Sequence, residues 1–288
     1  MPYVLVLGSS GYLGLALSAK LLLQNEIAPI TDADIRDPET LSSIIAENKI
    51  DIVSDTTSAY EQAFRILQGV GKAATARRDA LAKENIVGPK LGFRVSDLSP
   101  VGSASLSKGK PATAVAWRPA HEQAILAARD VLDVILRPSA IYGRGSWVWS
   151  TWVGGTLKAK QGKNNTDTIQ ISADIATRTG TAHVDDVAAG FHAAIDRIDG
   201  RLGAWPVFDL VAENIGIQEI IEAVKAALGV TAEVEYTGTQ GDAFLEALSL
   251  VSKNDAARAR NVLEWEPKRK NFVLNLPVYV RAWEATQG

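Results

Sequence analysis

The chain has 288 residues, enough for one large domain or two smaller ones, with a core that needs neither disulfides nor metals. Apolar residues make up 47% and charged residues 22%, a globular balance, and a net charge of −3 with a pI near 5.7 is a poor match to nucleic-acid phosphates. There is no cysteine, and the histidines are His121, His183 and His192, which excludes thiolate metal sites and a cysteine nucleophile and leaves no HExxH pair for zinc.

The opening Met-Pro-Tyr-Val-Leu-Val-Leu-Gly has no basic segment before its apolar run, and no stretch of about 18 apolar residues follows anywhere. The expectation is a cytoplasmic chain without a signal peptide or membrane span. Residues 3–7 predict a strand buried on both faces. A glycine-rich turn at 8–14 leads into an apolar helix over 15–23. A weak second strand is expected at 27–31. Asp37-Pro38-Glu39 supplies an N-cap, a first-turn proline and a first-turn acid, so a helix runs from there to about Asn48.

Residues 50–54 predict another buried strand. Tyr60, Phe64, Leu67, Val70 and Ala74 make a stripe at steps of three and four, which predicts one long helix over 58–86, ~40 Å in length. A strand at 91–96 is followed by a Ser-, Gly- and Pro-rich loop over 97–113. A helix at 119–129 and a strand at 131–137 complete an alternation that implies a parallel sheet covered on both faces. Beyond Gly145, helices are expected at 184–195, 217–228, 241–262 and 271–286, and strands at 205–211 and 232–236.

Gly8, Gly11 and Gly14 stand where a strand feeds a helix. Glycines there permit a tight turn, close approach of a pyrophosphate to the backbone, and close packing of helix on strand, while the helix N-terminus offers free N–H groups. The spacing is GxxGxxG rather than GxGxxG. An NAD or NADP molecule is therefore expected along Gly8, Ser10, Gly11, Tyr12, Leu13 and Gly14. Beyond the second strand the candidates are Asp32, Asp34 and Ile35. Asp32 as a ribose ligand would favour NAD and the nearby Arg36 would favour NADP; both readings stay open.

Five segments together resemble the extended short-chain dehydrogenase/reductase superfamily, in its branch of NAD-dependent epimerases and dehydratases. These are the glycine turn, Asp34-Ile35-Arg36-Asp37, Leu136-Arg137-Pro138-Ser139-Ala140-Ile141-Tyr142-Gly143, His183-Val184-Asp185-Asp186-Val187-Ala188, and Leu263-Glu264-Trp265-Glu266-Pro267-Lys268. The resemblance implies a Rossmann-type doubly wound parallel sheet over 1–146, with 181–212 returning to it. It implies a smaller α/β substrate lobe from 147–180 and 213–288. Thr56, Pro138 and Ala140 are then expected beside the cofactor, and Tyr142 beside the substrate.

The resemblance breaks at the family's Tyr-x-x-x-Lys pair. None of the six tyrosines has a lysine four residues on. Glu122 matches the family's downstream glutamate, which puts Arg118 at the lysine position and Ala114 at the tyrosine position. Pro119 is expected to keep Arg118 out of helical geometry. Replacement groups are Ser96 at a strand end, Arg118, and His121, which can titrate near neutrality. His183 is a weaker candidate. Trp147, Trp149 and Trp152 suit an apolar small-molecule substrate or, equally, a subunit contact. Two functions follow. One is an NAD(P)-using oxidoreductase or epimerase with non-standard acid–base groups. The other is a cofactor-binding sensor, isomerase or cyclase without redox chemistry. No metal, nucleic acid or membrane partner is expected; a homodimer is the assembly to look for.

Overall fold

The computed structural model describes residues 3–22, 33–57, 62–84, 92–96, 111–129, 134–146, 151–161, 168–197, 201–203 and 205–285. The expected second strand at 27–31, Asp32, most of the 97–113 loop, Trp147 and Trp149 lie outside them.

The strands are β1 (Val4–Leu7), β2 (Ile52–Asp55), β3 (Gly92–Ser96), β4 (Val134–Pro138), β5 (Ala140–Tyr142), β6 (Ile169–Ile171), β7 (Arg178–His183), β8 (Val207–Leu210), β9 (Glu213–Gly216) and β10 (Val234–Tyr236). The helices are α1 (Tyr12–Leu22), α2 (Pro38–Glu47), α3 (Ala63–Lys83), α4 (Arg118–Ala127), α5 (Gly154–Gln161), α6 (Val184–Ile195), α7 (Ile217–Leu228), α8 (Ala243–Leu248), α9 (Ala257–Leu263) and α10 (Phe272–Glu284).

A parallel sheet in the order β1-β2-β3-β4-β8 forms the centre of the α/β fold. Alternation along each strand decides which face a side chain meets. Ile52, Val134, Leu136 and Phe208 pack with α1 and α6 on one face. Val53, Ile135 and Val207 pack with α2, α3 and α4 on the other. Leu17, Phe191 and Phe208 are wholly buried, each stabilising the fold by roughly 1.5–3 kcal/mol. Helix α6 approaches β8 so closely that a Cβ on Gly190 would stand 2.7 Å from Leu210 Cδ1.

A second core gathers Tyr142, Trp152, Ile169, Ile215, Ile220, Phe272 and Trp283. It is built on the mixed sheet β5-β7-β9 and the pair β10-β6, with α7 and α10 packed together. The Glu213 carboxylate accepts the Asn271 and Phe272 amides at 3.0 and 2.7 Å, capping α10. The sequence pattern did not show β5, β7 and β9. β7 reads Arg-Thr-Gly-Thr-Ala-His, neither apolar nor alternating, and a Cβ on Gly180 would meet Asn254, Ser139 and Val211 within 3 Å.

Two expected helices are shorter than their patterns. α3 spans ~30 Å rather than ~40 Å, because it starts at Ala63 and ends at Lys83. The 241–262 helix is two helices, α8 and α9, joined by chain in which Val251 bridges to Arg178. Its polar run explains the break. The Asn254 amide donates to the Asn214 side chain, and Asp255 accepts the Ala257 amide at the start of α9.

Helix α4 is held to the sheet by charge. Glu122, buried, accepts two hydrogen bonds from the Arg137 guanidinium, one from Nε at 2.8 Å, and Asp209 of β8 stands 3.9 Å from Nη1. Removing one partner of a buried pair leaves an uncompensated charge. Glu122→Ala is therefore expected to cost about 3 kcal/mol in urea unfolding; a loss below ~1 kcal/mol would show that the pair does not anchor α4.

Candidate functional site

The glycine turn lies at the carboxyl end of β1. Gly8 has φ +76°, and its carbonyl accepts the Gly11 amide at 2.9 Å. A Cβ on Gly14 would fall 2.1 Å from that same oxygen, so no side chain fits where α1 presses on the turn. At Gly11 the corresponding distance is 3.1 Å, and the residue is exposed. Gly14 therefore serves the packing, while Gly11 keeps the outer surface of the turn open. Ser10 is exposed and Leu13 is buried in the core, so Leu13 offers only its main chain to a ligand.

Thr56 clamps this corner. Its amide and its Oγ1 both donate to the Leu7 carbonyl, at 3.1 and 2.7 Å. Beside it is a residue that the motif reading missed. Asp55 ends β2 directly across from Leu7, is buried, and accepts from the amide and Oγ1 of Thr57 at 2.9 and 2.7 Å. Burial pushes its carboxyl up from 3.8 to about 6, against those two hydrogen bonds. The sequence signal was a lone acid closing an otherwise uncharged strand, Ile52-Val53-Ser54-Asp55.

Tyr12 opens α1, and its hydroxyl donates to the Gly143 carbonyl after β5, which ties the turn to the chain entering the second core. Asp34 is exposed and ion-paired with Arg36. Ile35 packs on the α2–α3 side of the sheet, and Asp37 caps α2 through the Thr40 amide at 2.9 Å. Pro138 ends β4 and is buried; Ala140 opens β5 against the second core. Ser96 ends β3 beside Leu136, also at the carboxyl edge of the sheet.

The inward stripe of α4 reads Arg118, His121, Glu122, Ile125, three polar residues where an amphipathic helix normally carries apolar ones. Pro119 does not keep Arg118 out of helical geometry. Trp117 is already right-handed, α4 begins at Arg118, and a 3-10 turn at Thr113–Val115 precedes it. Proline is tolerated because its missing N–H falls in the first turn, where donors lack intrahelical partners. The Arg118 guanidinium lies 5.4 Å from the Trp117 ring centroid. His121 is buried edge-on to Phe64 and Trp117. Neither of its ring nitrogens makes a well-formed hydrogen bond among the described residues, although the Ala63 backbone favours the proton. Burial, reinforced by Arg118, lowers its pKa from 6.5 to about 4.

Of the substrate candidates, Tyr142 and Trp152 lie among the described residues. Tyr142 is fully buried, donates to the Arg269 carbonyl at 3.0 Å, and packs on His183, Phe272 and Tyr279. Trp152 belongs to the second core. Burial raises the phenols of Tyr12 and Tyr142 well above their usual value. The charges bearing on Tyr12 are Asp185 and Arg144, and those on Tyr142 are Glu213 and Asp186; no lysine is among them. His183 caps α6 by accepting the Asp185 amide at 3.1 Å, and burial holds it neutral. No metal-binding cluster occurs among the described residues, and no helix there is long and apolar enough to cross a membrane.

The two shifted groups give pH effects of opposite sign. The His121 value is depressed in the folded state, so its contribution is present above pH 6.5 and lost as pH falls through about 4. That is about 3 kcal/mol. The Asp55 value is raised, so its contribution is present below pH 3.8 and lost as pH rises through about 6. His121→Phe should flatten the acid limb of a stability–pH curve, and Asp55→Asn should raise stability by about 3 kcal/mol at pH 8. Denaturant melts across pH 4–8 check both; wild-type slopes in both variants would refute the assignments.

No family model matches the chain, and no curated protein matches its sequence. Solved structures do. A UDP-glucose 4-epimerase from Thermotoga maritima, determined with UDP-glucose, is 16% identical with a TM-score of 0.70, covering 99% of this chain and 100% of that one. A dTDP-glucose 4,6-dehydratase from Bacillus anthracis in complex with NAD is 17% identical with a TM-score of 0.70, covering 100% and 98%. RMD from Pseudomonas aeruginosa, complexed with NADPH, is 18% identical with a TM-score of 0.68, covering 99% and 98%. At such identities the likeness establishes architecture: from end to end, the chain has the Rossmann-type fold of these structures.

Proposed function

We propose that the chain binds a nicotinamide dinucleotide along the 8–14 turn and acts on a small molecule as an epimerase, dehydratase or related oxidoreductase. The observation that carries this reading is the glycine corner. Gly14 leaves no room for a side chain against the Gly8 carbonyl, and the exposed Ser10-Gly11 segment stands at the N-terminus of α1. That arrangement suits an anion held by main-chain N–H groups. Two of the structures sharing the fold were determined with NAD or NADPH, which supports the same ligand class here.

When bound, the nicotinamide would supply a hydride donor or acceptor. Gly8, Ser10, Gly11, Tyr12, Leu13, Gly14 and Thr56 would hold the pyrophosphate side, with Pro138 and Ala140 further along the sheet edge. The proton transfers would fall to groups other than a phenol–lysine pair. Tyr12 and Tyr142 both donate to main-chain carbonyls. Ser96 at the carboxyl edge and His121 on the inner face of α4 are the groups proposed to take over, with Arg118 of the same face as a fixed cation. Arginine can hold a ribose or phosphate but does not release a proton near neutrality. The substrate would lie beside the second core, to which Trp152 belongs.

Calorimetric titration with NAD+, NADH, NADP+ and NADPH tests the reading. At least one should bind at micromolar concentration, and Gly11→Val should weaken it tenfold or more, about 1.4 kcal/mol, without changing the circular dichroism spectrum. No binding of any of the four at millimolar concentration would overturn it.

A further inference from the structure

We infer that Asp55 is a proton switch for the dinucleotide site: the corner beneath the glycine turn accepts a pyrophosphate readily while this carboxyl carries its proton and resists it once the proton is lost. This rests on the nucleotide reading above and adds a control on it by pH.

Asp55 closes β2 in register with Leu7, the residue before the turn, and the two parallel strands end at the same edge of the sheet. It shares with Val53 the sheet face covered by α2, α3 and α4. Its Oδ1 accepts the Thr57 amide at 2.9 Å and the Thr57 Oγ1 at 2.7 Å. Thr57 is in turn part of the wall behind Gly8, where a Cβ would stand 3.2 Å from Thr57 Cα. The buried acid, the threonine it holds and the first glycine of the turn thus form one contiguous corner.

Among the described residues no cation offsets this acid. β1 carries no titratable group, and β3 sets Val95 opposite Asp55, with Arg94 opposite Ser54 instead. The buried stripes of α2 and α3 are uncharged, while α4 turns Arg118, His121 and Glu122 inward. None of those charges is among the interactions that set the Asp55 proton, which are burial and the two bonds to Thr57. Burial outweighs the bonds, and the carboxyl titrates at about 6 rather than 3.8.

The turn itself is equally short of cations. Gly8-Ser9-Ser10-Gly11-Tyr12-Leu13-Gly14 has no Lys or Arg, so the charge of a pyrophosphate would rest there on main-chain N–H groups and the start of α1. A carboxylate formed on the neighbouring strand repels that charge through a buried, weakly screened path. Between unit charges ~10 Å apart at an effective dielectric constant of ~20, the interaction changes an equilibrium constant roughly tenfold. By linkage, an anionic ligand raises the Asp55 pKa further, so binding takes up a proton. Affinity is then full below about pH 6 and falls as pH rises above it.

The test is a calorimetric titration of the whole protein, from pH 5.5 to 8.5, with whichever of NAD+, NADH, NADP+ and NADPH it binds. Wild-type affinity is expected to fall about tenfold across that range, and titration at pH 7 in buffers of different ionisation enthalpy should show proton uptake. Asp55→Asn should keep the low-pH affinity up to pH 8.5. Thr57→Val, which removes the Oγ1 donor that favours the carboxylate, should move the decline to higher pH. The 2′-phosphate of NADP(H) also titrates at about pH 6, equally in wild type and variants, so the difference between them isolates Asp55. A flat wild-type profile, or a decline that persists unchanged in Asp55→Asn, overturns the inference and leaves nucleotide binding at the glycine turn standing. A decline that Thr57→Val leaves in place overturns its assignment to this corner. Binding of none of the four dinucleotides overturns the reading on which the inference rests.

Discussion

Everything near the candidate site depends on one steric constraint, the approach of α1 to the Gly8 carbonyl. With only a hydrogen at Gly14, α1 can start directly against the turn, and β2 can come close enough for Thr56 to place two donors on the Leu7 carbonyl. A methyl group at position 14 would overlap main-chain atoms, which cannot swing aside as a side chain can. The corner thus fixes β1, α1 and β2 relative to one another. It sets where Asp55 is buried and where Tyr12 reaches across to Gly143.

Charges placed inside this frame fall into two kinds. Glu122 and Arg137 satisfy each other and hold α4 on the sheet. Asp55 and His121 have no ionic partner among their interactions, so burial governs their ionisation and moves both toward the neutral form. Local rules are broken at these two positions, a carboxylate closing a buried strand and an imidazole in an aromatic pocket. Such breaks in an otherwise consistent sequence tend to mark function rather than folding.

Much of the first core was legible because its signals are local. Asp37-Pro38 marked the start of α2 by capping chemistry, and the Val184–Ile195 and Ile217–Leu228 helices follow their apolar stripes to the residue. Strand β7 was illegible because it is neither apolar nor alternating, and its Gly180 answers to the closeness of Asn254, Ser139 and Val211, a tertiary requirement with no periodicity. Helix α4 began one residue before its proline because a missing N–H carries no penalty in a first turn. At the site, the glycines announced themselves through spacing. Asp55 did not, since its character comes from burial beside β1, and neither did the depth of Tyr142 and Trp152 in the second core.

The path of the chain between the two cores has a consequence for dissecting the molecule. β4 belongs to the first core and Tyr142 to the second; Val184 returns to the first, Ile215 goes to the second, Ala256 to Trp265 return again, and Phe272 leaves once more. A single cut anywhere in this stretch strips one core of segments it needs. Neither half is then a self-sufficient fragment, as a domain joined by one linker would be. Limited proteolysis should accordingly yield either the intact chain or small peptides, and the two cores should melt as one cooperative unit.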